Sequence, residues 1–385
     1  MMFRTALLAL LVLCALLRVA EAGTRPNVVF LSPDDSRFWH MVADFMGEVA
    51  SDLNLELEVQ FDQDRHRFSY LQMAEQVLSR DDRPDYLVIM CKEHVTTQIL
   101  MHANELDVKV FTFNTDVPEA TRAAVGMPRE TLPNWIGHMA PDNVEGGANL
   151  IAILEQHAQS LTLTEPSQPL PVVALTGTRD SSAGTDRDRG LKAATDAENS
   201  ELLQLVHADW SQQQAKDKML VLLRRYPQAV AIWSASDGMA LGAIEAVKRS
   251  GRQPGKDLVI GGFDWEPRAL EAIREGELVV SLGRHFMGGG LALLLLHDYH
   301  QGVDFADGPS SAALSYRFEP ATRDNVDTVE RILTPASWQA VNFQQFSRAL
   351  NAGLQDKPFS ADHLMDQFSE ALAQYRESGE VAGHR

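Results

Sequence analysis

The chain has 385 residues, 45% of them hydrophobic, so it can bury a sizeable core and has room for two domains. Its formal charge is −19 at pH 7, from 34 Lys and Arg against 53 Asp and Glu. That balance excludes nucleic acid, whose backbone must be neutralised by basic side chains, and disfavours anionic lipid head groups.

Met1 to Ala22 reads as a cleavable secretory signal peptide. Arg4 supplies the positive start, Ala6 to Leu17 the apolar run, and Ala20-Glu21-Ala22 a cleavage site before Gly23. The run is too short to be retained as a membrane span. Cys14 follows Leu13 inside this run, which is no lipoprotein signal, and the mature chain keeps only Cys91. An exported chain with one cysteine has no internal disulfide, so its core must suffice.

From Asn27 onward, apolar β-branched runs alternate with amphipathic stretches. Asn27–Ser32 predicts a buried strand, and Phe38–Leu53 a helix with Phe38, Met41, Val42, Phe45, Val49 and Leu53 near one face. Strands follow at Leu55–Phe61, Tyr86–Met90 and Val108–Phe113, with helices at Phe68–Leu78 and Val95–Leu106 between them. After a loop the pattern restarts with a short strand at Trp135–Gly137 and a helix at Asn143–His157. Strands at Pro171–Thr176, Leu202–His207, Ala229–Trp233, Leu258–Phe263 and Leu278–Leu282 alternate with helices at Arg187–Ala197, Gln212–Arg225, Gly238–Arg249 and Pro267–Arg274. Leu291–Leu296 reads as a buried helix.

Continuous apolar strands alternating with helices predict parallel sheets covered on both faces. There are too many units for one small sheet. The economical solution is an α/β chain of two successive doubly wound lobes, with the break near Ala140. The first lobe spans 23–139 and is completed by about 284–310; the second spans 140–283. Residues 311–385 form a polar extension, mostly helical in character, punctuated by Pro320 and Pro335.

Five short motifs fall in order along this frame. They are Ser32-Pro33-Asp34-Asp35-Ser36-Arg37-Phe38-Trp39, Gly137-His138-Met139-Ala140-Pro141-Asp142-Asn143-Val144-Glu145-Gly146-Gly147, Asp186-Arg187-Asp188-Arg189-Gly190, Ser236-Asp237-Gly238-Met239-Ala240-Leu241-Gly242 and Gly262-Phe263-Asp264. No one of them is specific, but their order and intervals from Asn27 to Gly302 resemble the type I periplasmic binding proteins, the ribose-, galactose- and glucose-binding group. That resemblance implies two α/β lobes joined by a hinge and a small polar ligand, a sugar or sugar derivative, held between them. It implies no cofactor. The closed form would present its ligand to the permease of an ABC importer. The alternative is a sensing receptor that docks on the periplasmic domain of a membrane sensor kinase, as the autoinducer-2 receptor does.

The resemblance also places candidate contacts. Phe38 or Trp39 would be the aromatic wall of the first lobe and Trp210 that of the second. Asn114 sits where sugar binders place Asn or Asp, Arg187 where they place a guanidinium, and Asp264 where a carboxylate accepts from two hydroxyls. Ser36, Asn114, Arg187, Ser236 and Asp264 each lie just past a predicted strand, where open α/β sheets bind ligands. Amides, hydroxyls and carboxylates suit sugar hydroxyls, arginine forks across two oxygens, and aromatic rings cover the C–H face.

Some positions depart from the family pattern. Ser236 replaces the usual Asn, and Arg284-His285 replaces a neutral amide near the last hinge. Together they predict a ligand that is anionic, phosphorylated, or not a plain pentose or hexose. Cys91 stands where a polar residue is common. Asp142-Asn143 fits a helix N-cap, and Gly146-Gly147 close backbone packing.

Two other classes fit the chain less well. A repressor with the same lobes needs a basic helix-turn-helix ahead of the first strand, where this chain has its leader. An enzyme needs a catalytic motif, and the chain has no G-x-S-x-G elbow, H-E-x-x-H pair or Walker loop. The 12 histidines show no compact metal spacing, and His297 with His300 reads as a solvated helix edge.

Overall fold

The computed structural model describes residues 25–375 apart from 65, 166–167, 197–198, 309–310 and 356. The expected leader, 1–22, lies outside the described residues. Two six-stranded sheets form the two expected lobes.

The first sheet holds β1 (Asn27–Ser32), β2 (Glu56–Phe61), β3 (Tyr86–Ile89), β4 (Lys109–Phe113), β5 (Trp135–Pro141) and, from far along the chain, β11 (Ala313–Tyr316). Its order is β11-β5-β4-β3-β1-β2, with every pair parallel. The second holds β6 (Leu170–Thr176), β7 (Ser200–His207), β8 (Ala231–Ser234), β9 (Val259–Phe263), β10 (Val280–Gly283) and β12 (Glu319–Ala321) in the order β12-β10-β9-β8-β6-β7. Only β12 runs antiparallel to its neighbour, β10.

The sequence explains these positions. The central strand β3 (YLVI) is buried at every residue because helices cover both faces. The edge strands β2 (ELEVQF) and β7 (SELLQLVH) carry charged and polar residues and stay partly open, which discourages pairing with another chain. Chain order reverses at β1/β3 in the first sheet and at β6/β8 in the second. In open α/β sheets such switch points leave a crevice outside the carboxyl ends of the strands.

In the first lobe, α1 (Arg37–Asp52), α2 (Arg67–Leu78), α3 (Thr96–Glu105) and α4 (Glu119–Val125) follow the strands. In the second they are α5 (Asn143–Ser160), α6 (Ser182–Thr195), α7 (Gln212–Arg225), α8 (Asp237–Arg249) and α9 (Pro267–Glu275). The helix α10 (Gly288–His300) returns to pack on α1, so the Leu291–Leu296 run is buried in the first lobe. His297 is buried too, beside Asp298 and Ser347, and not on a solvated edge. Among the described residues no helix is long and apolar enough to cross a membrane.

The C-terminal extension differs from its sequence expectation at its start. Residues 313–316 and 319–321 are strands, and they close one sheet each. The helical part follows as α11 (Val326–Ile332), α12 (Pro335–Ala340), α13 (Ala352–Gln355) and α14 (Ala361–Ala373). It binds both lobes on the hinge side. Toward the first lobe, Phe45 of α1 sits among Phe286, Trp338, Phe343 and Phe368, at centroid distances of 5.3, 5.5, 5.4 and 6.2 Å. Toward the second, Arg274 of α9 pairs with Asp327 at 2.8 Å and with Glu330.

Arg284 lies where β10 hands the chain back toward the first lobe. Its side chain is 1% exposed and donates to Arg317 O, Glu319, Asp366 and Asp362 at 2.7, 3.1, 2.5 and 2.5 Å. One guanidinium thus ties the hinge segment to β12 and α14. Arg284→Met keeps the stem but leaves carboxylates around an apolar tip. The variant is expected to lose about 2–4 kcal/mol, toward the lower side of what a broken buried pair costs, because its partners are partly solvated. A urea melt measures this; an unchanged midpoint would mean that the cluster contributes nothing to stability.

Candidate functional site

A cavity of about 310 Å³ lies between the lobes, at the carboxyl ends of the strands. Ser36, Phe38, Trp39, Asn114, Arg187, Trp210, Ser236, Asp264 and His285 all line it. Arg284 does not: its guanidinium points to the extension, so it leaves the set of candidate contacts. The anionic ligand inferred from an Arg284-His285 pair loses its main support with it.

Arg187 is the most constrained member. It stands inside α6, which begins at Ser182, and not in the loop just past a strand as its predicted helix start implied. Helices α5 and α6 approach closely enough that a Cβ on Gly147 would stand 2.1 Å from Arg187 O, and one on Gly190 would stand 1.9 Å from Val144 O. Only glycine fits at both places. This approach puts Asn143 beside the guanidinium: Nε donates to Asn143 Oδ1 at 2.9 Å and Nη1 to Ala235 O at 2.7 Å. The guanidinium lies over the Phe263 ring at 4.3 Å. Burial lowers its pKa to about 10, so it stays charged at neutral pH. Asp142 is the N-cap of α5, accepting from Glu145 N at 2.9 Å, whereas Asn143 serves Arg187.

Acidic groups gather on the same lobe. Asp264 follows β9 with a left-handed φ of 117°. Its Oδ1 lies 3.2 Å from His285 Nε2. Burial pushes its carboxyl up to about 7, against the pull of Arg187. Glu266, two residues on, is likewise raised to about 7 by burial and by the charge of Asp264. Beneath them Asp237 is fully buried and accepts from Glu266 N at 2.9 Å and Ser281 Oγ at 2.7 Å, so it shapes the Asp264–Glu266 turn. Gly262 makes room for it: a Cβ there would stand 2.4 Å from Asp237 Oδ1. Burial, then the charges of Asp264 and Glu266, raise the Asp237 pKa well above the ordinary range. His285 is driven the other way by burial and by Arg187, so it is neutral. It stacks on Phe38 at 4.7 Å. Ser236 has a second duty as N-cap of α8, accepting from Met239 N at 3.3 Å.

The first lobe offers Asn114, held at φ 67°, a conformation asparagine tolerates. Its Oδ1 is buried and has no partner. Phe38 and Trp39 both face the cavity, and Trp39 also packs edge-on against Phe113 at 5.9 Å, so each is wall and core at once. Across from them, the Trp210 ring occupies the space where a side chain at Gly177 would stand and donates to Thr178 Oγ1 at 3.2 Å. At the rim the lobes bond directly, through Glu93 N to Asp180 O at 3.2 Å and Asp116 N to Ser182 Oγ at 2.7 Å.

The sequence reading missed Asp34, Lys92, Thr178, Asp180, Asp209 and Glu266, all of which line the cavity. Each falls a few residues beyond a strand's carboxyl end, and that was the available signal. Cys91 turns into the lobe core, where burial raises its thiol pKa, and Lys92 takes the place facing the cavity. Among the described residues no group of His, Cys, Asp and Glu could hold a metal ion.

The acidic cluster makes stability depend on pH. The folded chain holds the Asp264 proton up to about 7, whereas the unfolded value is near 3.8. Between these pH values the folded state binds the extra proton, so stability falls as pH rises through the window. Asp264→Asn removes that titration. At pH 8 its ligand-free thermal midpoint is expected to exceed that of the parent by roughly 3 °C or more, and the gap should narrow as pH falls through the window and close only below the unfolded value near 3.8. A gap independent of pH would contradict the assignment.

Comparison with known proteins agrees with this architecture. A family profile described as a periplasmic binding protein domain matches residues 27–299. The ribose import binding protein of Salmonella typhimurium is 25% identical over 213 residues, covering 51% of this chain and 68% of that protein. A crystal structure of a periplasmic sugar-binding protein from Pseudomonas fluorescens superposes with a TM-score of 0.77 at 32% identity, covering 90% of this chain and 99% of the other. A Caulobacter myo-inositol binding protein shares the fold, with a TM-score of 0.65 at 19% identity, covering 79% and 96%. Two parallel-sheet lobes, a cavity at their switch points and a profile match over most of the chain lead to one assignment: this chain belongs to the periplasmic binding protein family.

Proposed function

We propose that the protein captures a small polyhydroxylated ligand, a sugar or sugar derivative, in the periplasm and presents it in the closed form to an ABC importer. One observation carries this reading: the cavity takes its walls from both lobes, so only closure completes it. The names of the similar proteins, ribose import and sugar binding among them, support the same ligand class.

The chemistry follows from the lining. Aromatic faces of Phe38, Trp39 and Trp210 suit C–H surfaces, and Asn114, Arg187, Ser236 and Asp264 suit hydroxyls. Arg187 is immobilised before any ligand arrives, so binding freezes little of it, which favours affinity. Closure is a rigid-body rotation about the hinge. Bonds at the rim join the lobes directly and would favour the closed form.

The first test is a thermal-shift screen of protein unfolded and refolded to strip ligand. The panel holds pentoses, hexoses, inositols, sugar acids and sugar phosphates. A ligand at about a hundred times its Kd adds about 2.7 kcal/mol, enough to raise the midpoint measurably. A hit supports the reading, and silence across the panel removes the sugar assignment. With a hit in hand, Arg187→Ala is expected to weaken binding by at least about 1.5 kcal/mol, the scale of a hydrogen bond to a charged group. Asp264→Ala should abolish binding while the protein stays folded. Normal calorimetric affinity in either variant would move that residue out of the site.

A further inference from the structure

Charge in the cavity is lopsided. Five carboxylates line it: Asp34, Asp180, Asp209, Asp264 and Glu266. Of the cavity-lining residues only Lys92 and Arg187 oppose them, and both are engaged by the protein; from outside the lining, Arg37 and Arg268 act on Glu266. Lys92 Nζ donates to Pro33 O at 3.2 Å, lies 3.8 Å from the buried Asp62 and sits over the Tyr70 ring at 4.7 Å. Arg187 is held by Asn143 and Ala235. Where the cleft is buried such an excess is costly, and burial already holds part of it protonated by raising Asp264 and Glu266 to about 7; a bound cation would offset the rest. A second observation is independent of charge. Asn114, 6% exposed, and His285, 1% exposed, line the same cavity, and their buried Oδ1 and Nδ1 have no partner. A neutral His285 carries one donor and one acceptor nitrogen, with Nε2 facing Asp264. Acceptors therefore outnumber donors around the ligand. The aromatic walls are also compatible with a cation, whose charge is drawn to ring faces.

We propose that the preferred ligand carries an ammonium group: an amino sugar or amino-substituted polyol, with its hydroxyls on Asn114 and Arg187 and its ammonium on the Asp264–Glu266 side. The proposal rests on the solute-binding reading and narrows its ligand class. It reverses the charge inferred from the Arg284-His285 pair.

The test compares matched sets at pH 7 by titration calorimetry on the full mature chain: D-glucose with D-glucosamine and D-glucuronate, and D-galactose with D-galactosamine and D-galacturonate. In at least one set the amine is expected to bind tenfold or more tightly than its neutral counterpart, with the acid weakest. Glu266→Gln should cut that ratio to threefold or less. Asp209→Asn, at an exposed residue whose left-handed φ of 51° asparagine also tolerates, should reduce it in the same direction. A neutral or acidic member that binds as tightly as its amine overturns the proposal and leaves the solute-binding reading intact. Silence from every set overturns the amine and counts against the sugar reading as well.

Discussion

The site depends on holding one guanidinium still in a nearly dry place. Arg187 is buried and charged, a combination that is costly unless its N–H groups are satisfied. The solution is built into the backbone. Gly147 and Gly190 let α5 and α6 approach to contact distance, which brings Asn143 to the guanidinium, while the ends of β8 and β9 supply Ala235 O and the Phe263 ring. A larger residue at either glycine would push the helices apart and draw Asn143 away from the guanidinium. The rest of the second-lobe lining is arranged around it: Asp237 shapes the turn that offers Asp264 and Glu266.

That local constraint also sets the energetic character of the cleft. Burial leaves Asp264 and Glu266 with carboxyl groups titrating near neutrality, so the ligand-free protein holds repulsion that a bound partner can relieve. Binding sites commonly give up stability in this way. The C-terminal extension works against the loss from the far side. It grips α1 through the Phe45 aromatic cluster, α9 through Arg274, and the hinge segment through Arg284. Contacts near a rotation axis move least when the lobes swing, so a brace placed there is compatible with opening and closing.

Much of this was legible in the chain. Strand and helix bounds fell within a few residues for most elements, because fully buried parallel strands read as continuous apolar runs. Nine of the ten candidate contacts face the cavity for a related reason: a strand's carboxyl end is visible in sequence, and the fold sends those ends to one crevice. The exceptions are instructive. Arg284 follows β10 as Asp264 follows β9, but at φ 70° it turns its side chain to α14. Helix α6 begins earlier than predicted because Ser182-Ala183-Gly184-Thr185-Asp186 lacks the apolar spacing that marks a helix. His297 is neutral in pattern but buried by residues from the extension.

The two-lobed α/β plan, the order of the strands along the chain and the family are readable from residues close in the chain, since they rest on local periodicity and on motifs of adjacent residues. Which polar residues share the cleft, which charge is spent on the brace, and the acidic balance of the lining emerge only when the lobes pack. Those are sums over residues far apart in the chain, and burial, the quantity that shifts their titration and sets the value of each bond, exists only once the lobes have packed.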